Sequence, residues 1–298
     1  MGGRIRALLP PPVRRRVELI DQRLLLRRRL RTWQRLVAQR RAHDQRIAWP
    51  PMSAPLPRHR PPSRAVVVHG YHPELLAELL HQARNAGGDV FITLPDDDRL
   101  MERRVIVEDV LGTSPRVLVT ENRGRDVGPF TALVAAGELD DYDVVFKVHT
   151  KATDDITRER LSRVLLGSRE RAEAAVRTLY QVADVSILGD PFHIDHEVLH
   201  EVSADLRRRI YRLCRQADIA IPLDYTFVGG TMFAIRRDGL ARFKALGLNL
   251  AHFVDESEYA LDSRAHAVER FFGIREQAAG MRVAASDIRD LFRPLSRL

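Results

Sequence analysis

The chain contains only three lysines, and two of them, Lys147 and Lys151, bracket a histidine in the run Lys147-Val148-His149-Thr150-Lys151. Alternate side chains of an extended segment share a side, so Lys147, His149 and Lys151 would point together if the extended form persists. An ammonium is a compact point charge that a guanidinium does not replace one for one. Two ammonium groups with an imidazole can neutralise a diphosphate without metal. The competing reading is a pair of solvated lysines at a strand end.

A second constellation is Glu121-Asn122-Arg123-Gly124-Arg125-Asp126-Val127-Gly128-Pro129-Phe130. Gly124 and Gly128 allow a tight turn or close approach of a ligand. Pro129 suits the first position of a helix, whose free N–H groups attract anions. Arg123 and Arg125 offer forked donors that match phosphate or carboxylate. Asp126 can accept from a sugar or ribose hydroxyl. Without a ligand, the same residues make a solvated turn closed by an Asp–Arg pair.

Further along, Gly229, Gly230 and Thr231 stand in FVGGTMFAIRR, Phe227 to Arg237, read as a strand entered through two glycines that let a ligand or backbone come close. Asp262, His266 and Glu269 are candidates for the base that a transfer to a hydroxyl requires. Helix capping and a Glu269–Arg270 surface pair are the alternative. His196-Glu197-Val198-Leu199-His200 fits the zinc-protease helix pattern, in which two imidazoles share a helix face and the glutamate is the base. The longer form of that pattern fails, since Ser203 and Leu206 occupy the positions of the Gly and the third His. Residues 196–217 read as a charged amphipathic helix in which such a match arises by accident.

The elements that must position these groups alternate. Short apolar runs at 65–68, 89–94, 116–120 and 144–148 read as strands, and helical patterns at 73–85, 98–111 and 129–137 separate them. Alternation of this kind predicts an α/β fold with a mostly parallel sheet, its strands buried on both faces. In open sheets of this type ligands bind beyond the carboxyl ends of the strands. The expected ends are His69-Gly70-Tyr71, 93–98, 121–128 and 147–151, all polar.

The net charge of +8 is unevenly placed: residues 1–49 hold fourteen arginines against Glu18, Asp21 and Asp44, so the remainder is slightly acidic. Residues 13–47 read as one basic amphipathic helix. Three partners fit it: an anionic membrane surface, its own domain or a second copy, and nucleic acid. Nucleic acid is the least favoured, because the expected mark is a basic patch on the folded domain. Residues 50–63 are proline-rich and read as a linker, leaving 64–298 as the main domain. The single cysteine, Cys214, excludes an internal disulfide and reads as a small core residue. No stretch has the length of a membrane-spanning helix or the shape of a signal peptide, so the expected location is cytoplasmic, peripheral at the inner face of the cell membrane.

Taken in order, ENRGRDVGPF, YDVVFKVHTK, GGTMFAIRR and AHAVERFFG resemble the rhamnan synthesis protein F family of glycosyltransferases, and HGYHPELLAELL with DVFITL resembles its opening strand and helix. The likeness covers roughly residues 65–275. It implies a GT-A-like (Rossmann-like) domain that moves a sugar, rhamnose by the family's name, from a nucleotide-sugar to a cell-surface or lipid-linked glycan. It implies donor contacts from Asn122, Arg123, Gly124, Arg125 and Asp126, diphosphate contacts from Lys147, His149 and Lys151, and sugar or acceptor contacts from Gly229, Gly230 and Thr231. Asp262 or Glu269, with His266 nearby, would act as base. In the GT-A fold the fourth strand ends in an Asp-x-Asp motif that holds a divalent metal, and here Lys147-Val148-His149 takes the comparable place. A metal-free diphosphate site is therefore expected, with Asp154 and Asp155 leaving a Mg or Mn site open. The rival readings are a non-catalytic member that binds glycan or a partner, and the zinc protease.

Overall fold

In the computed structural model, residues 60–112, 115–152, 155–196, 202–220, 225–254 and 263–286 are described. The expected basic helix within 1–49, most of the linker, Asp154, Glu197 to His200 and Asp262 lie outside these residues.

The strands are β1 (Arg64–His69), β2 (Asp89–Pro95), β3 (Arg116–Thr120), β4 (Val144–His149), β5 (Val185–Gly189), β6 (Ile194–His196), β7 (Thr226–Val228), β8 (Phe233–Arg236) and β9 (Arg282–Ala285). The helices are α1 (Pro73–Ala83), α2 (Leu100–Leu111), α3 (Val127–Ala136), α4 (Asp155–Leu166), α5 (Arg169–Gln181), α6 (Ala204–Gln216), α7 (Arg237–Lys244) and α8 (Arg264–Ala278). Seven strands form one sheet in the order β3-β2-β1-β4-β8-β5-β9. All neighbours in it are parallel except at β8, which runs antiparallel to both β4 and β5. The expected mixed α/β class, with a mostly parallel sheet flanked by helices, is therefore present.

Strand pleating divides the core. Val66 and Val68 of β1 with Val144, Phe146 and Val148 of β4 join one cluster, under α1, α4 and α5. Ala65 and Val67 of β1 with Val145 of β4 join the other, under α3, α6 and α8. Lys147 and His149 alternate with the first set and so emerge on the second face, where α3 and α8 pack. Burial on both faces explains why these strands read as continuous apolar runs rather than alternating ones.

One local expectation is corrected. The helix predicted over 196–217 begins only at Ala204, where the Ser203 side chain accepts from the Leu206 amide as an N-cap. His196 instead ends β6, paired with Thr226 of β7, so the helical spacing on which the zinc-protease reading depended does not hold there. The strand expected after Gly229-Gly230 is β8, and the residues before the glycines form a separate short strand, β7. β7 pairs with β6, and after a turn β8 enters the main sheet. Cys214 is buried in the core, and burial pushes its thiol up to about 11. Among the described residues no helix is long and apolar enough to cross a membrane.

Candidate functional site

A cleft of about 750 Å³ opens beyond the carboxyl ends of β1 and β4. Its walls come from several places in the chain. His69 ends β1, with Tyr71 and His72 just beyond it; Asn122, Arg125 and Asp126 form the turn into α3; His149 ends β4, with Thr150 and Lys151 just beyond it. Gly229, Gly230 and Thr231 belong to the turn between β7 and β8, and His266, Glu269 and Arg270 project from α8. His193 and Asp195, from the β5–β6 segment, complete the rim.

The floor is an ion pair. Lys147 is 1% exposed, and its ammonium donates to Asp126 Oδ2, to the Thr231 carbonyl at 3.1 Å and to Thr231 Oγ1 at 3.1 Å. The Thr231 hydroxyl also donates to Asp126. The rings of Phe130 and Phe233 lie 5.6 and 5.8 Å from the Lys147 nitrogen, so the ammonium sits among aromatic faces and hydrogen-bond acceptors rather than water. Burial pushes the Asp126 carboxyl up. His149 when protonated, the Lys147 ammonium, and the hydrogen bonds from Lys147 and Thr231 outweigh this and hold it well below the usual carboxylate range. Burial also draws Lys147 below its ordinary value, with Asp126 opposing.

Above the floor stand two buried imidazoles. His69 and His149 are register partners on neighbouring strands. His69 Nδ1 shares a 2.9 Å hydrogen bond with Thr93 Oγ1, and its Nε2 has no partner among the described residues. His149 Nδ1 lies 3.4 Å from Asp126 Oδ2 and likewise makes no hydrogen bond among them. Burial lowers His69 to about 4 and His149 to about 3, against the pull of Asp126. Both rings are therefore neutral near pH 7, and they offer hydrogen bonds rather than charge. The Thr150 hydroxyl accepts from the Tyr71 and His72 amides at 2.9 and 2.8 Å, tying the ends of β1 and β4 together.

The glycine turns are required by close approach. A Cβ on Gly229 would stand 2.3 Å from the Asp195 carboxylate. Gly230 has φ +79°, the left-handed region that favours glycine, and its amide donates to Glu269 Oε1 at 2.6 Å. Glu269 Oε2 accepts from Arg270 at 3.2 Å. Burial raises the Glu269 carboxyl above its ordinary value, although Arg270 and the Gly230 amide pull it down. A buried carboxyl with a raised pKa, aimed into a cleft, can exchange a proton with a bound hydroxyl.

Most of the residues singled out from the sequence meet here: Asn122, Arg125, Asp126, His149, Lys151, Gly229, Gly230, Thr231, His266 and Glu269 all line the cleft. Three others stand behind it. Lys147 is the buried half of the floor's ion pair; Arg123 turns away to pair with Glu121 and reach the Phe253 carbonyl; Gly124 packs against the Phe253 ring. His266 Nδ1 bonds the Ser263 hydroxyl at 3.0 Å, and its Nε2 faces Arg125 at 3.5 Å. Sequence reasoning missed the His193 wall. There the fully buried Asp190 carboxylate holds His193 Nδ1 at 2.5 Å, and the His193 carbonyl accepts from the Gly229 amide at 2.7 Å. The available signal was a carboxylate directly after the apolar run Val185–Gly189, a strand end like those already read as rim.

Among the described residues no group of three or more His, Cys, Asp or Glu side chains is placed to hold a metal ion. Beside the end of β4 the Asp126 carboxylate already carries an ammonium, which makes it a poor donor for a divalent cation.

The comparison with known families bears on this same stretch of chain. Residues 53–164 match the model of the rhamnan synthesis protein F family. The rhamnan synthesis protein F stretch carries the Asn122 to Asp126 turn and the Lys147 to Lys151 strand end, and stops before the glycine turn and α8. Two curated relatives, each named "Uncharacterized protein WxcX" and from two strains of Xanthomonas campestris pv. campestris, are 29% identical over 236 residues. The match takes in 74% of this chain and 32% of each relative, so the chain spans about a third of the length of the curated relatives it matches.

Proposed function

We propose that this chain is a glycosyltransferase of polysaccharide synthesis with a GT-A-like domain, transferring a sugar from a nucleotide-sugar to a glycan or lipid-linked acceptor without a bound metal. The observation that carries this reading is the cleft itself. A strand-end site with cationic side chains, neutral imidazoles and a proton-exchanging carboxyl is what transfer from a diphosphate leaving group requires. The family match supports the direction toward rhamnan or other polysaccharide synthesis, and rhamnose is the sugar its name suggests.

In this reading the diphosphate charge falls to Lys151 and Arg125, because Lys147 is spent on Asp126. Lys147 instead fixes Asp126 and Thr231, and so holds the floor on which the donor sits. His149 and His69 line the cleft as neutral rings, so they shape the donor site without adding charge to it. As the bond between the sugar's anomeric carbon and the diphosphate oxygen breaks, its electron pair leaves on that oxygen, where the preorganised cations meet it. The acceptor hydroxyl bonds to the anomeric carbon, and its proton passes to Glu269. His266 is held by Ser263 and Arg125 beside that path. Asp262, the other candidate base, lies outside the described residues. The expected location is cytoplasmic, against the inner face of the membrane that carries the acceptor.

The test is transfer or donor hydrolysis across a panel of nucleotide-sugars in the presence of chelator. Turnover that survives chelation and is lost in Lys151→Ala and Glu269→Gln supports the reading; binding without turnover for every donor supports the non-catalytic alternative; turnover that needs added Mn²⁺ or Mg²⁺ removes the metal-free part.

A further inference from the structure

The described residues carry a basic face that draws on none of the arginines of residues 1–49. Helix α6 places Arg207, Arg208, Arg212 and Arg215 on its outer side together with Tyr211, which is 54% exposed. Its opposite face, with Leu206, Ile210, Leu213 and Cys214, is buried in the core shared with α8. Asp205 is the one carboxylate on the helix, and it pairs with Arg208. Across the helix–helix contact Arg264, the first residue of α8, joins the group. Arg264 is held below its ordinary value first by burial and then by the like charges of Arg209 and Arg212. The Arg209 Nε is buried and makes no hydrogen bond among the described residues.

Among the described residues these guanidinium groups gather around a single paired carboxylate, Asp205; like charges so placed raise one another's energy, and the arrangement is relieved when anions meet it. The chain beyond residue 49 is slightly acidic, so this is a local segregation of charge and not an overspill of the chain's basic total. An exposed aromatic amid arginines on one helix face is the composition of a surface that rests in a headgroup layer. Arg264 directly precedes Ala265 and His266, both of which line the cleft, so the basic face adjoins the cleft rim.

We infer that the exposed face of α6, with Arg264, is a docking surface for an anionic lipid bilayer, and that it sets the cleft mouth at the headgroup level. The assignment uses none of the donor-site residues and stands whether or not the chain transfers sugar.

The test is arginine-selective labelling of the full chain with phenylglyoxal, read peptide by peptide by mass spectrometry. It is run with vesicles of phosphatidylcholine alone, with vesicles containing phosphatidylglycerol, and with inorganic phosphate at matched charge. The expected result is protection of Arg207, Arg212 and Arg215 by the anionic vesicles only, while Arg84 and Arg169, away from α6, label as before. Reading individual peptides separates α6 from the N-terminal arginines. Flotation of Arg212→Gln/Arg215→Gln, both exposed positions, would show roughly fivefold weaker binding for each arginine removed. Labelling of α6 unchanged by anionic vesicles would overturn the proposal. Equal protection by inorganic phosphate would overturn it as well, in favour of a small-anion site.

Discussion

Replacing Lys147 by methionine tests the floor of the cleft. Methionine roughly keeps the length of the side chain and its packing against Phe130 and Phe233 but removes the ammonium. Asp126, whose side chain is 12% exposed, would then keep a buried charge with the Thr231 hydroxyl as its remaining hydrogen-bond donor, and the Thr231 carbonyl would lose its ammonium. Breaking one side of a buried pair costs about 3–5 kcal/mol. For a domain of this size that is a fall in Tm of about 6–20 °C. The sign of the pH dependence adds a second reading. In the native chain Asp126 is depressed below its unfolded value, so its contribution is present above about pH 4 and is lost as pH falls through the folded value. In Lys147→Met burial is opposed only by His149 when protonated and by the Thr231 hydroxyl, so Asp126 rises from its native value. The deficit should be full at pH 7 and shrink as the pH falls through the raised value. Asp126→Asn in the same background should recover part of the loss. The assay is thermal unfolding by circular dichroism at pH 7 and at descending pH. A fall below about 3 °C, or a deficit that does not shrink as the pH falls, would refute the buried-pair argument.

Other perturbations give sharp expectations. On the proposed transferase reading, Glu269→Gln should lower turnover by about 10²–10⁴-fold with donor affinity retained, and in the native chain the acidic limb of the rate profile should rise through a value above the ordinary glutamate pKa, as expected of a base that must lose its proton first; loss of donor binding instead would make Glu269 a binding residue. Because His149 is neutral above about 3, His149→Asn should leave the pH dependence of donor binding unchanged between about pH 5 and 8, and the disappearance of a limb near the ordinary histidine value of about 6.5 would contradict the burial argument. Gly229→Ala forces a methyl onto the Asp195 carboxylate and should disturb the cleft, seen as weakened donor binding in calorimetry with the fold intact. Cys214 should resist thiol reagents in the native state and react only on unfolding, since its thiol is buried and pushed up to about 11.

The parallel part of the sheet was legible because strands buried on both faces leave unbroken apolar runs such as Val144-Val145-Phe146, bounded by polar strand ends. Those ends named most of the cleft wall in advance, since side chains beyond parallel strands must face a common opening. What the sequence hid was pairing. Lys147 and Asp126 are 21 residues apart, and nothing in either local pattern shows that the ammonium would be consumed by that carboxylate rather than offered to a ligand. The same holds for His149, whose charge state follows from burial by α3 and α8 and not from its neighbours in the chain. The helix pattern at 196–217 was misread at its start because β6 is only three residues long and is defined by its partner β7, a long-range pairing with no periodic signature. Asp190 and His193 escaped notice because a carboxylate three residues before a histidine is common, and only the tertiary fold turns that histidine into the cleft.

The proposed function turns on whether the cleft takes a nucleotide diphosphate-sugar on protein cations alone. Isothermal titration of the full chain against a panel of such donors, with excess chelator throughout, tests it directly. Saturable binding of at least one donor is expected, unaffected by chelator and weakened at least about tenfold in Lys151→Ala. Binding that appears only when Mn²⁺ or Mg²⁺ is restored, or that is indifferent to Lys151, would contradict it.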